Sequence, residues 1–239
     1  MLKHHVAAIA ILFAVGLSLP YAAPASAQAR AATRGSSTDI GTGEGNKAYG
    51  SKSAPITMEV FSDYQCPSCR ALYEETLKPL IADYVALGKV YLIHRDFPLP
   101  MHSHSWVAAR YANAAARIGK FSQVEAALYD NQAEWSESGD LEKYVAAAVG
   151  PADMKKIDKL MPAGCKVQPP APGAAATAPL VLAPCPLDPA IQRDADLGKK
   201  IPVTATPTFQ VICKGKTTTT AGTVTYPVLK QYFDYLVSH

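Results

Sequence analysis

Apolar residues recur at two different spacings along the chain, and the order of these spacings predicts a mixed fold. The run Ile56–Ser62 predicts a short strand. From Pro67 to about Leu87 apolar residues recur every three or four positions, which predicts an amphipathic helix ending at Gly88, with a kink at Pro79. Val90–Ile93 predicts a second strand, so these elements form a parallel βαβ unit.

A run of helical patterns without a strand follows the first βαβ unit. The predicted helices are Trp106–Ile118, Phe121–Asn131, Leu141–Val149 and Ala152–Leu160. A simple alternating fold has no place for them, so they predict an inserted helical subdomain over about residues 101–187. Residues 162–186 of this insertion are rich in Pro and Ala and are too long for an ordinary connector.

The C-terminal pattern predicts a helix, a hairpin and a last helix. Asp188 resembles an N-cap with Pro189 in the first turn, which predicts a helix to about Lys200. The remaining elements are predicted at Phe209–Cys213, a Lys214-Gly215 turn, Thr217–Thr223 and a helix from about Thr225. The order β, α, β, helical block, α, β, β, α predicts an α/β protein with the thioredoxin fold and an inserted helical subdomain, over residues 50–239.

The first residues are typical of targeting rather than of a fold. Basic residues precede the apolar run Val6–Leu19, and Ala25-Ser26-Ala27 supplies a small-residue cleavage site. We therefore predict a cleaved signal peptide over residues 1–27 and a periplasmic or extracellular location, with an uncleaved membrane anchor as the alternative. Residues 28–49 are rich in Gly, Ser, Thr and Ala and predict a flexible N-terminal linker.

Composition and charge narrow the function classes. The chain has 239 residues, 49% of them hydrophobic and 18% charged, and its net charge of +3 comes without a dense basic tract. Nothing therefore favours a nucleic-acid partner. Five cysteines are too few for a disulfide scaffold in a chain of this length, so each is interpreted separately.

Cys66 and Cys69 lie three positions apart where a strand is followed by a helix. Cys66 is placed at the predicted N-cap and Pro67 at the first helical position, followed by Ser68. Unpaired backbone N–H groups and the helix dipole favour a thiolate on Cys66, and Cys69 is one turn away to resolve a mixed disulfide. We interpret the pair as a catalytic redox dithiol that needs no cofactor beyond its own disulfide, with Cys66 exposed and Cys69 buried. A structural disulfide is the alternative, as is a metal pair, but a zinc site needs two further ligands.

Several segments together resemble the DsbA-like family of thioredoxin-fold oxidoreductases, and its secreted bacterial thioredoxin-like-fold-4 group most closely. They are Gly50–Thr57, Phe61–Cys69, Arg95-Asp96-Phe97-Pro98-Leu99, Thr206-Pro207-Thr208-Phe209 and the terminal helix Tyr226–Val237. The resemblance implies a thiol–disulfide oxidoreductase with a cis Thr206–Pro207 bond beside the cysteines, where the backbone binds substrate. It also implies that the site is re-oxidised by a membrane redox partner. The expected substrates are unfolded or extended secreted polypeptides.

One position departs from the family pattern. Thioredoxin-like strands commonly carry a buried acid six positions before the first cysteine, and here that position is Val60. Glu59 is adjacent, but a strand points it to the opposite face. Another proton path is therefore expected, and the strand before the motif is the first place to look for it.

The other cysteines each have more than one interpretation. We predict a structural disulfide between Cys165 and Cys185 that closes the Pro/Ala-rich loop, with unpaired thiols or a regulatory pair as alternatives. Cys213 ends a predicted strand and is interpreted as a small buried apolar residue, with a surface thiol or a bond to a loop cysteine as alternatives.

The polar residues around the motif are assigned mainly structural roles. His94 is placed in a strand. His102 and His104 are assigned capping or solvated roles, with a charge that tunes Cys66 as the alternative. Asp63 and Gln65 are interpreted as helix-entry residues rather than acid–base catalysts.

The predicted function is a secreted thiol–disulfide oxidase, because a stabilised thiolate makes the disulfide a good donor. Two alternatives remain. The first is an isomerase or reductase kept reduced by an electron donor, and the second is a polypeptide-binding chaperone module without redox turnover.

Overall fold

A five-stranded mixed sheet forms the centre of the computed structural model, which describes residues 47–166 and 184–239. The strands are β1 (Ala48–Tyr49), β2 (Ile56–Ser62), β3 (Val90–Asp96), β4 (Thr208–Cys213) and β5 (Lys216–Ala221). They lie in the order β1-β3-β2-β4-β5, with β2 and β3 parallel and the other neighbours antiparallel. The predicted parallel βαβ unit and C-terminal hairpin are confirmed.

Seven helices and a short 3₁₀ helix at Ala163–Cys165 accompany the sheet within the described ranges. Helix α1 is a continuous run of α-helical Pro67–Leu72, π-helical Tyr73–Leu77, α-helical Lys78–Leu80 and π-helical Ile81–Val85. The others are α2 (Ser105–Arg117), α3 (Phe121–Asp130), α4 (Gln132–Ser138), α5 (Leu141–Leu160), α6 (Asp188–Lys200) and α7 (Tyr226–Ser238). Helices α2 to α5 lie between β3 and α6 in the chain, so the predicted thioredoxin fold with a helical insertion is confirmed.

Helix α1 passes Pro79 without ending because π-helical turns flank the proline. The Lys78 N–H bonds to the Tyr73 carbonyl and the Ala86 N–H to the Ile81 carbonyl, each five residues back. The apolar residues at helical spacing pack into the core: Tyr73, Leu77, Leu80 and Tyr84 are buried, and Ile81 is partly buried. The helix is therefore anchored along its length behind the cysteines at its start.

The helical insertion differs from the prediction in two places. Helix α4 was not predicted, because its mostly polar sequence carries one large apolar side chain, Trp135, which is fully buried. Leu141–Val149 and Ala152–Leu160 form the two halves of α5, and Gly150 interrupts them with a φ of 77° that only glycine adopts readily.

Two predictions at element ends are wrong. Residues 47–49, assigned to the flexible linker, instead carry β1, and the buried Lys47 ammonium donates to Asp194 at 2.8 Å and to Asp96. A buried ammonium requires such partners, so this segment is fixed to the domain. Asp188 is the first residue of α6 and not its N-cap, which is Leu187. The rest of the predicted linker, the predicted signal peptide and residues 167–183 of the Pro/Ala-rich loop lie outside the described residues.

Candidate active site

Cys66 is the N-cap of α1, where its backbone is extended with φ −77° and ψ 121°, and Pro67 occupies the first helical turn. The Cys66 carbonyl accepts the N–H groups of Cys69 at 3.0 Å and Arg70 at 3.2 Å, which closes the first turn. Proline suits this position because its missing N–H would have had no helical partner. The local sequence thus fixes Cys66 at the positive end of the helix dipole.

The two cysteines differ in access to solvent. Cys66 is 7% exposed and Cys69 is 1% exposed, whereas Pro67 and Ser68 between them are exposed. The expectation of an exposed Cys66 is therefore wrong, because the residue is buried, with the Thr206 carbonyl oxygen 3.4 Å from its sulfur. Cys66 is still the more accessible sulfur, so an incoming thiolate meets it first.

The pKa values of the two thiols shift in opposite directions. The pKa of Cys66 falls to about 5, because hydrogen bonds from the Cys69 thiol, the Thr206 side chain and the N–H groups of Cys69 and Ser68 outweigh its burial. Burial raises the pKa of Cys69, and the neighbouring Cys66 raises it further. At neutral pH this arrangement holds one thiolate, on Cys66, and one protonated thiol, on Cys69.

The Thr206–Pro207 peptide bond is cis and lies against the dithiol. Pro207 is buried, and its carbonyl accepts the Gly222 N–H at 2.8 Å. The buried Thr206 hydroxyl has no hydrogen-bond partner among the other described side chains, so it remains free to act on the Cys66 thiolate. Thr204 and Ala205, which precede this bond, are exposed.

Asp63 is a structural anchor for the loop before α1. Its buried carboxylate accepts the N–H groups of Gln65 and Leu99, each at 2.8 Å, and the Ser105 hydroxyl. His102 Nδ1 lies 2.8 Å from the same carboxylate. With this many partners Asp63 organises the entry to the helix, as its interpretation as a helix-entry residue requires.

Helix α4 holds the active-site turn through Gln132, a contact that sequence reasoning missed. The buried Gln132 side-chain amide donates to the carbonyls of Tyr64 at 2.6 Å and Cys66 at 3.0 Å. The Gln65 side-chain oxygen, within the same turn, accepts the His104 N–H at 2.8 Å. A single glutamine in a polar segment carries no signal of a contact 66 residues away.

The side chains before the motif lie as strand alternation predicts. Val60 is buried at the position of the family's acid. Glu59 points to the other face of the sheet, where it accepts from Arg95 at 2.7 Å, and Arg95 also contacts Asp194 of α6 at 3.2 Å. Glu59 is therefore not the proton acceptor for Cys69.

The histidines do not bond to Cys66 in the described part of the chain. His94 lies in β3, is buried and places Nδ1 2.9 Å from Glu125, with its ring stacked on Tyr64 at 4.6 Å between centroids. Burial lowers the pKa of His104, whose ring lies against Gly139. The proposed alternative, a histidine charge that tunes Cys66, has no contact to support it.

Cys165 and Cys185 are joined by a disulfide, and a polar hub fixes it to the helices. The Asp188 carboxylate accepts from Arg110 at 2.7 and 2.8 Å, from Trp106 at 2.8 Å and from the Cys185 N–H at 2.8 Å. Arg110 also donates to the Cys165 carbonyl at 3.0 Å. This side-chain role replaces the N-cap role that the sequence predicted for Asp188.

The remaining features bear on other kinds of site. Cys213 is a buried thiol at the end of β4. Across residues 47–166 and 184–239 no group of three or more His, Cys, Asp and Glu side chains is arranged to hold a metal ion. Within the same ranges no helix combines the length and hydropathy that crossing a membrane requires.

Comparison with solved structures finds similar folds at low sequence identity. Alpha-DsbA1 of Wolbachia pipientis has a TM-score of 0.59 at 19% identity, over 80% of this chain and 90% of that one. BdbD from Bacillus subtilis has a TM-score of 0.58 at 18% identity, over 82% of this chain and 94% of that one. A thioredoxin-like oxidoreductase from Silicibacter pomeroyi has a TM-score of 0.57 at 23% identity, over 82% of this chain and 95% of that one.

Comparison with curated sequences finds a match to a short part of the chain, and comparison with family models finds a match to most of it. The Na⁺/H⁺ antiporters NhaA 3 of Salinispora tropica and NhaA 1 of Salinispora arenicola are 33% and 31% identical over 86 residues. That match covers 36% of this chain and 13% of each antiporter. The model of a family described as thioredoxin matches residues 42–224, well over half of the chain. The protein therefore belongs to the thioredoxin family, and its fold is that of the DsbA-like proteins.

Proposed function

We propose that the protein is a secreted thiol–disulfide oxidoreductase that acts as an oxidase on cysteines of extracytoplasmic polypeptides. The observation that carries this proposal is the opposed pKa shift of the two cysteines, with Cys66 at about 5 and Cys69 raised. A stable Cys66 thiolate favours the reduced form of the site, so the oxidised site gives up its disulfide readily. This direction favours an oxidase over a reductase.

The chemistry is two successive disulfide exchanges. A substrate thiolate attacks the Cys66 sulfur, the Cys66–Cys69 bond breaks, and its electron pair remains on Cys69. A second substrate thiolate then attacks the substrate sulfur of the mixed disulfide and releases the Cys66 thiolate. Two substrate thiols are oxidised to a disulfide, and the site is reduced to a Cys66 thiolate and, after Cys69 takes up a proton from solvent, a Cys69 thiol.

Substrate binding is assigned to the backbone beside the cis bond. Thr206 and Pro207 lie against the Cys66 sulfur, and the exposed residues Thr204 and Ala205 offer main-chain groups to an extended chain. Extended or unfolded polypeptides fit this use, because folded clients rarely present an extended backbone next to a cysteine.

Turnover requires an oxidant and an oxidising compartment. We assign re-oxidation of the dithiol to a membrane redox partner, as the family resemblance implies. Residues 1–27 supply the proposed secretion signal, and the disulfide between Cys165 and Cys185 fits an oxidising compartment.

The test is exchange with a reduced, unfolded polypeptide that contains cysteines. We expect the oxidised protein to transfer its disulfide, Cys66→Ser to abolish transfer, and Cys69→Ser to accumulate a mixed disulfide visible by mass. Cys213→Ser is the matched control and keeps transfer, because its thiol lies at the end of β4, away from the dithiol. Normal transfer by Cys66→Ser would refute the proposal.

A further inference from the structure

Cys69 becomes a buried anion when the active-site disulfide is attacked. Its sulfur receives the electron pair of the broken bond, yet the residue is only 1% exposed. A charge placed in such a site requires hydrogen-bond donors. The strand before the motif supplies no acid for this charge, since Val60 stands at the family's position and Glu59 pairs with Arg95. The carboxylate of Asp63, after the strand, is engaged by the N–H groups of Gln65 and Leu99 and the Ser105 hydroxyl.

Donors at and just after the end of β2 act on the Cys69 sulfur. The Asp63 N–H donates to it at 3.5 Å. The hydroxyl of Ser62, the last residue of the strand, acts on the same sulfur and favours its ionised form. Ser62 is itself buried, so water does not compete for its proton.

Tyr129 of α3 fixes the orientation of the Ser62 hydroxyl. The two hydroxyl oxygens lie 2.7 Å apart, and Tyr129 is fully buried. Burial raises the pKa of Tyr129, so its hydroxyl keeps a proton that it can donate to the Ser62 oxygen. The Ser62 proton is then free to point at Cys69. Stacking on Tyr73, with ring centroids 4.8 Å apart, holds the Tyr129 ring in place.

We propose that Ser62 is the catalytic hydrogen-bond donor that stabilises the Cys69 thiolate as it leaves, and that Tyr129 is its positioning residue. This assignment rests on the proposed function and deepens it. The attacking thiolate is oxidised into the new bond with Cys66, Cys69 is reduced and keeps the electron pair, and the Ser62 proton stays on Ser62. Cys69 then takes up a proton from solvent, which balances the proton that the attacking thiol released when it ionised. A serine and a tyrosine thereby do by hydrogen bonding what the family's buried acid does by proton transfer.

The test compares Ser62→Thr with Ser62→Val, which have the same shape and differ only in the hydroxyl. The oxidised variants react with dithiothreitol, the reaction is quenched by alkylation, and the reduced site is quantified by mass. We expect reduction of the Val variant to be slower by about tenfold or more, because a hydrogen bond to a charged group is lost. The reduction potentials of the two variants should agree, because at neutral pH Cys69 is protonated in the reduced protein, and only the transition state carries the charge.

Substitution of Tyr129 gives a second, independently controlled test of the same proposal. Tyr129→Phe should slow the same reaction in the parent, and it should cause no further loss when Ser62 is Val, because both changes break one chain of hydrogen bonds. Tyr111→Phe is the control, since this buried hydroxyl contacts Glu142 at 3.4 Å and not the dithiol. It should leave the rate unchanged.

The outcomes separate this assignment from the proposed function. Equal rates for Ser62→Thr and Ser62→Val would overturn the assignment, as would a rate loss matched by an equal shift in potential. Because any disulfide reacts with a small dithiol, the comparison stays informative if the parent fails to oxidise polypeptides. That failure would overturn the proposed function alone.

Discussion

The titration of Cys66 should make the stability of the reduced protein depend on pH. The perturbation is Cys66→Ser, which replaces the thiolate with a hydroxyl that does not titrate. Both proteins are kept in reductant, so the bond between Cys165 and Cys185 is in the same state in each. The difference between their free energies of unfolding then reports the charge on Cys66.

The magnitude follows from the shift of the pKa from an ordinary 9.0 to about 5. A thiol with a lowered folded-state pKa contributes stability that is fully present above its unfolded value and is lost as pH falls through its folded value. Each pH unit between these values changes the contribution by about 1.4 kcal/mol. From pH 8 to pH 5 the expected loss is about 3 kcal/mol, after a modest allowance for solvent screening of a partly accessible sulfur.

The assay is urea unfolding of both proteins at intervals across that pH range, followed by circular dichroism. We expect the parent to be more stable than Cys66→Ser at pH 8, and this difference in free energy of unfolding to decrease steadily as the pH is lowered to 5. Cys213→Ser is the matched control, because it removes a buried thiol that is not at a helix start. A stability difference that stays constant across the range would refute the reasoning that a thiolate is stabilised at Cys66.

Two further predictions concern the part of the helical insertion that carries the second disulfide. Replacing both Cys165 and Cys185 with Ala should lower the free energy of unfolding by about 3 kcal/mol, the chain-entropy value for a closure of this size, and leave polypeptide oxidation intact. Loss of oxidation in a folded variant would contradict a purely structural role. Asp188→Ala should lower the free energy of unfolding by about 3 kcal/mol, because the buried Arg110 guanidinium loses two hydrogen bonds to this carboxylate and Trp106 and the Cys185 N–H lose their acceptor. Denaturant unfolding measures this change, and a loss below about 1 kcal/mol would contradict it.

Periodicity predicted the elements that carry a regular apolar face. Strand β2 was predicted with its observed bounds, and the buried face of α1 follows from three- and four-residue spacing. Helix α4 has no such face, since Trp135 is its one large apolar side chain, and β1 is two residues long. Elements of this kind form because of tertiary contacts, which a local pattern does not contain.

The residues of the candidate site also fall into those that a local pattern identifies and those that only tertiary contacts bring to the site. The cysteine pair and the proline that follows Thr206 carry their chemistry in short motifs, so sequence identified them. Gln132 and Tyr129 act on the site from 66 and 67 residues away, and nothing local marks them. The valine at position 60 marks the departure from the family's pattern, and it is buried where the acid would lie.

The reduction potential of the Cys66–Cys69 pair tests the central claim most directly. The purified protein is equilibrated with glutathione buffers at pH 7, and the peptide carrying both cysteines is quantified by alkylation and mass. A thiol that titrates two units below neutral pH makes a dithiol more oxidising by roughly 50 mV than one that titrates at neutral pH. With a reducing dithiol at about −270 mV as the reference, we predict a value at or above about −220 mV. A value near −270 mV would contradict the account and indicate a reductase.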